Sequence, residues 1–168
     1  EAPAIYRWLA TTEPDAAIIE LPMVDPASQY ERYLPIYMHY STVHWRRIVN
    51  GQMTFYPPGY FDIVDEMGRF PSEAGVRLLQ ALGVDYVVVH TDRLSPADRD
   101  RWTSTGWAPP GLERVAAFDG DYAYRVLPAA DAEGSAQQPV QARAFPADHF
   151  LAPERFVEGE PAPAVIEI

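Results

Sequence analysis

The chain has 168 residues and a formal net charge of −11, from 24 acidic and 13 basic side chains. That balance opposes phosphate backbones and anionic membrane surfaces, which are bound by neutralising their charge with Lys or Arg, so nucleic acid is not an expected partner. Cysteine is absent and every basic side chain is Arg, which removes disulfides, thiolate metal ligands and a Cys nucleophile.

The length suits one hydrophobic core plus a tail, and the apolar runs fall short of the roughly 20 residues that a membrane span needs. The chain starts at Glu1 and ends in the strand-like VIEI, and is expected to be a piece of a longer protein.

Ile5, Trp8 and Leu9 recur at helical spacing, so a short amphipathic helix is expected over residues 3–11. The run 16–21 (AAIIEL), closed by Pro22, reads as a buried strand. Glu20 interrupts it. A carboxylate there sits either at a strand mouth, where open α/β sheets bind ligands, or at a solvated strand end, the commoner case. Asp25-Pro26 reads as a helix start, with Tyr30, Tyr33, Leu34, Tyr37 and Met38 on one face; an extended reading of 36–43 stays open. The Tyr-rich face can stack on a sugar, but such stripes are usually core.

Residues 41–60 (STVHWRRIVNGQMTFYPPGY) combine His, Trp, two Arg, Asn-Gly and Pro-Pro, and are expected to form a structured surface loop. Tyr60, Ile63, Val64 and Met67 then have helical spacing, with Asp62, Asp65 and Glu66 on the other, solvated face. Ser72 caps a further helix, Gly83 stops it, and 84–90 (VDYVVVH) is the strongest strand signal in the chain. Ser95-Pro96-Ala97-Asp98 opens another helix, which Gly106 stops. Strands over 112–118 and 122–127 flank an Asp119-Gly120-Asp121 turn. From Pro128 the chain is small, polar and acidic, a linker, followed by a tail with Phe145, Phe150, Leu151 and Phe156. The fold class that results is α/β: one compact domain over 1–127, a mixed sheet with flanking helices and a C-terminal antiparallel hairpin, then an extended tail over 128–168.

His39, His44, His90 and His149 show no metal-ligand spacing, and GxSxG, GxGxxG and P-loop signatures are absent, so neither a metal nor a cofactor is expected. His44 beside Arg46 and Arg47 is the best candidate for holding an anionic group such as a phosphate, with Glu20, Trp45, Asn50 and Tyr56 as further binding candidates. The commoner reading is that His44 and Asn50 hydrogen-bond backbone and fix the shape of the loop. If the chain is a small independent hydrolase or transferase, His44 with Glu20 or Asp62 is the expected pair.

The combination of IIELP at 18–22, Tyr40-Ser41-Thr42 leading into His44-Trp45, Val49-Asn50-Gly51, Phe55 with Pro57-Pro58, and LLQALGVDYVVVH at 78–90 resembles the soluble C-terminal region of bacterial polytopic membrane proteins similar to GT-C glycosyltransferases. That class uses lipid-phosphate sugars on the outer side of the cytoplasmic membrane. The resemblance covers residues 1–127, and Gln52-Met53-Thr54 departs from it. It implies an extracytoplasmic domain attached to a membrane-embedded remainder of the same polypeptide. The catalytic acidic residues of that class are on loops of the membrane portion, so the fragment is expected to be a non-catalytic accessory that contacts a glycan acceptor or a polyprenyl-phosphate sugar.

Overall fold

The computed structural model describes residues 1–23, 25, 33–51, 56–104 and 109–129. The expected helix entry over 26–32, the Gly106 stop, the departure at 52–54 and the tail from 130 onward lie outside the described residues.

The elements run α1 (Ala4–Leu9), β1 (Ala17–Leu21), α2 (Tyr33–His44), β2 (Arg47–Ile48), α3 (Tyr60–Met67), α4 (Glu73–Ala81), β3 (Tyr86–His90), a 3₁₀ turn (Thr91–Arg93), α5 (Pro96–Thr103), β4 (Leu112–Phe118) and β5 (Asp121–Val126). Local chemistry accounts for most boundaries. The Ser72 hydroxyl accepts the Gly75 N–H at 2.9 Å and so caps α4, and Gly83 leaves that helix at φ 66°. Asp119 and Gly120, at φ 35° and 96°, form the two-residue hairpin turn whose twist suits antiparallel strands.

The sheet order is β2-β1-β3-β5-β4. β1 pairs in parallel with β2 and β3, while β5 runs antiparallel to both β3 and β4. The architecture is therefore α/β, a mixed five-stranded sheet with helices on its faces and an antiparallel hairpin as the last two strands. Alternation along the strands divides the core. Ile18, Tyr86, Val88 and Ala123 meet Ile5, Tyr6 and Leu9 of α1, with Tyr40 and Val43 of α2 packed beside them. On the opposite face Ile19, Leu21, Val87, Val89 and Tyr124 meet Tyr60, Val64, Met67, Val76, Leu79 and Trp102. No helix among the described residues is long and apolar enough to cross a membrane.

Of the two readings left open for 36–43 the helical one holds. One expectation about the middle of the chain is corrected: 41–60 is not one surface loop, since its first four residues complete α2 and Arg47–Ile48 add a strand beside β1. The His-Trp-Arg-Arg cluster hid this, because polar and aromatic side chains at a helix end resemble those of a loop.

The topology singles out one place. From β1 the chain crosses to β2 on one side, then returns to β3 on the other, so the order reverses at the carboxyl ends of β1 and β3. In open α/β sheets such a switch point is where a crevice forms and ligands bind.

Candidate functional site

Glu20 and His90 stand at that switch point. Glu20 is opposite Val88 in the parallel register, and His90 lies two residues further along β3, so both side chains emerge on the α1/α2 face. They meet there: Glu20 Oε2 is 2.8 Å from His90 Nε2 and accepts the Tyr6 hydroxyl at 2.8 Å. His90 Nδ1 is 2.8 Å from Oδ1 of Asp121, its register partner on β5. Glu20 is 0% exposed and His90 1%. The solvated strand end expected for Glu20 is therefore corrected: it is a fully buried carboxylate, retained because α1 and β3 bring it two partners.

Aromatic rings enclose the cluster. The Tyr37 ring stacks on His90 at 5.4 Å, and Tyr6 stacks on Tyr40 at 4.5 Å. The Arg93 guanidinium lies over Tyr37 at 5.2 Å and over Tyr33 at 5.4 Å. The Tyr stripe of α2 is thus core and cation clamp in the structure. Three buried polar atoms here have no hydrogen-bond partner among the described residues: Glu20 Oε1, His44 Nε2 and Arg93 Nη1.

Burial of the His90 ring favours its neutral form, but hydrogen bonds to Asp121 and Glu20 outweigh burial and raise its pKa. His90 is held between the carboxyl groups of Glu20 and Asp121, which favour its protonated form. The Tyr6 phenol is pushed up by burial first and by the Glu20 charge next, which keeps it a neutral donor. Burial also raises Tyr37, against the pull of Arg93. His44 goes the other way: burial lowers its pKa, Glu20 opposes that and Arg46 adds to it.

The two histidines give stability opposite pH dependences. Below the ordinary value of 6.5, His90 is protonated whether folded or not, and its contribution is fully present. From 6.5 up to its raised folded value the native state holds the extra proton, so stability falls as pH rises and the contribution is lost above that value. The His44 contribution is complete above 6.5 and is lost as pH falls through its lowered value. Urea midpoints measured from neutral to alkaline pH are expected to decline for the native chain and to flatten in His90→Gln; the same decline in the variant would assign it to another group.

The other expected binding residues are placed as follows. His44 ends α2, and its Nδ1 accepts the Arg46 N–H at 3.0 Å, so it shapes the chain exit as the structural reading expects. Asn50 clasps the backbone of Glu20, its Oδ1 accepting the Glu20 N–H at 2.6 Å and its Nδ2 donating to the Glu20 carbonyl at 2.8 Å. The expected anion clamp is corrected. Arg46 donates to the carbonyls of Ala10, Thr12 and His44, and Arg47 to that of Asp15, because the carbonyls at the end of α1 and before β1 lie within reach and need donors. Trp45 is 78% exposed. Tyr56 packs on Tyr60 at 4.6 Å and belongs to the opposite core layer. Asp62 is exposed on α3 in that same layer, so the His44–Asp62 pairing is ruled out by the intervening sheet.

Sequence reasoning did not mark Tyr6 or Arg93; it placed Tyr37 on a Tyr-rich helix face, Asp121 in a turn and His90 at a strand end among four histidines, without bringing them together. A signal existed in the runs themselves, since a carboxylate inside AIIEL and a His closing YVVVH must find partners if those strands are buried. Among the described residues no three His, Cys, Asp or Glu side chains are arranged to hold a metal ion. A separate cleft of about 470 Å³ opens at the other end of the sheet, lined by Glu13, Asp15, Arg47, Asp85, Tyr86 and Arg125. No family model, curated protein or solved structure matches the chain.

Proposed function

We propose that the chain is a non-catalytic accessory domain of a membrane-bound glycosyltransferase-like protein, located on the outer side of the cytoplasmic membrane, where it contacts a glycan acceptor or a lipid-linked sugar. What supports the reading is how the residues of the resemblance are employed. Glu20 and His90 are bonded to one another in the interior, Asn50 is committed to the Glu20 backbone, and His44 to the chain exit. Side chains that a catalyst would present to substrate here hold strands and helices together.

A second reading, a small hydrolase or transferase, is favoured by one observation: His44 Nε2 and Glu20 Oε1 are both buried and unpaired. One experiment separates the two. The 168-residue chain is titrated with glycans and undecaprenyl-phosphate sugars while amide shifts and product formation are followed together. The accessory reading expects saturable shifts on the domain and no turnover. Turnover that disappears in a folded His44→Ala variant would establish the enzyme instead, and silence in both channels across the panel would remove the sugar-contact role.

A further inference from the structure

The cleft of about 470 Å³ lies at the amino ends of β1 and β3, the far end of these strands from the Glu20–His90 cluster. A second cleft of about 400 Å³ opens beside α1, with Trp8, Thr11 and Thr12 in its wall, and the two share Glu13, Tyr86 and Arg125. Each has the volume of a small-molecule site. Joined through three common residues, they make one groove.

The shared residues hold one another in place. Tyr86 is a buried strand residue, 3% exposed, yet its hydroxyl reaches the groove, where it donates to Glu13 Oε2 at 2.6 Å and accepts from Arg125 Nη2 at 3.1 Å. It thereby orders two exposed side chains whose rotamer freedom would otherwise be lost on binding. Glu13 Oε1 stays 3.7 Å from Arg125 Nη2, beyond hydrogen-bond length, so the carboxylate keeps an acceptor and the guanidinium keeps donors for a ligand. The half-buried Trp8 indole stands at 85° to the Tyr86 ring, 5.7 Å away. The Thr11 hydroxyl gives its proton to the Trp8 carbonyl at 2.7 Å, which leaves its oxygen as a further acceptor.

The lining selects the ligand. Three carboxylates, Glu13, Asp15 and Asp85, accompany two guanidinium groups in the first cleft, and Arg47 spends Nε and Nη2 on the Asp15 carbonyl. An anion is repelled by that excess of carboxylate, while a simple cation meets Arg125 where the two clefts join. A sugar hydroxyl both donates and accepts, so neighbouring hydroxyls of one ring bridge a carboxylate and a guanidinium, and an indole covers the C–H face of a ring beside them.

We propose that this groove binds a neutral glycan, one sugar ring against Trp8 and the next bridging Glu13 and Arg125. The inference rests on the sugar-contact reading above and deepens it by naming the site and the charge class of the ligand.

The test titrates neutral trisaccharides of glucose, mannose and galactose into the 168-residue chain while amide and indole N–H shifts are recorded. At least one is expected to bind saturably with a Kd of about millimolar or tighter, moving Trp8, Glu13, Tyr86 and Arg125. Glu13→Ala and Arg125→Ala are each expected to weaken it by about tenfold or more. Both side chains are exposed, so these variants are expected to stay folded, which their amide spectra check. Arg77→Ala, an exposed arginine of α4 outside the groove, is the control and is expected to bind as the native chain does.

Shifts that fall elsewhere, or equal affinity in the three variants, overturn the site and leave the sugar-contact reading standing. Turnover of a sugar held in the groove ends the accessory reading alone. Sodium phosphate or glycylglycine saturating the groove where no trisaccharide does would give it to an anion or a zwitterion and overturn the glycan. Silence with all three trisaccharides also overturns the proposal, whatever lipid-linked sugars do elsewhere on the domain.

Discussion

Glu20→Ala is expected to destabilise the domain by about 2–6 kcal/mol, because it leaves two buried polar groups, His90 Nε2 and the Tyr6 hydroxyl, without their partner at roughly 1–3 kcal/mol each. His90 stays enclosed by the Tyr37 ring and bonded to Asp121 on its far nitrogen. Denaturant midpoints measure the loss, and a double-mutant cycle with His90→Gln shows its origin: Glu20→Gln and His90→Gln together are expected to cost clearly less than the sum of the two. Additive losses would mean that the two side chains act independently, and the description of a coupled cluster would have to be given up.

Asn50→Ala is the second large effect, expected at about 2–6 kcal/mol, since it leaves two buried backbone groups without partners at roughly 1–3 kcal/mol each. Asn50 reaches β1 from beyond β2 and binds both the N–H and the C=O of Glu20, as a neighbouring strand would. β2 itself pairs with β1 only at Ala17 and Ile18, so Asn50 completes the ladder where the strand has stopped. Asn50→Asp is expected to be no milder, because it sets a carboxylate oxygen against the Glu20 carbonyl. Hydrogen exchange at the Glu20 amide checks the mechanism: protection should fall in the Ala variant well before global unfolding, and unchanged protection would sink it.

Much of the fold was legible because its signals are local. The Ser72 cap, the Gly83 stop and the apolar run to His90 define a helix and a strand within one short stretch, and Asp119-Gly120 marks a hairpin by conformational need. The site was not legible in the same way. Glu20 and His90 are 70 residues apart in the chain, and they meet only because two crossovers place β3 against β1 in one register. Arg46 and Arg47 misled for a related reason: neighbours in sequence suggest a shared anion, while their guanidinium groups answer to carbonyls of residues 10–15, which sequence spacing does not reveal. Asn50 lay between. Its liking for backbone partners was readable, but the partner was not.

The two rims of the sheet differ from its interior in how they would greet another polypeptide. One rim is β2, only two residues long. The other is β4, whose pairing slips between Arg114 and Ala116 and which turns Glu113 and Arg114 outward. A short rim and a bulged, charged rim both make poor templates for backbone addition. The domain is thereby protected against edge-to-edge growth into fibrils, and can be crowded at a surface without its sheet being extended by a neighbour's.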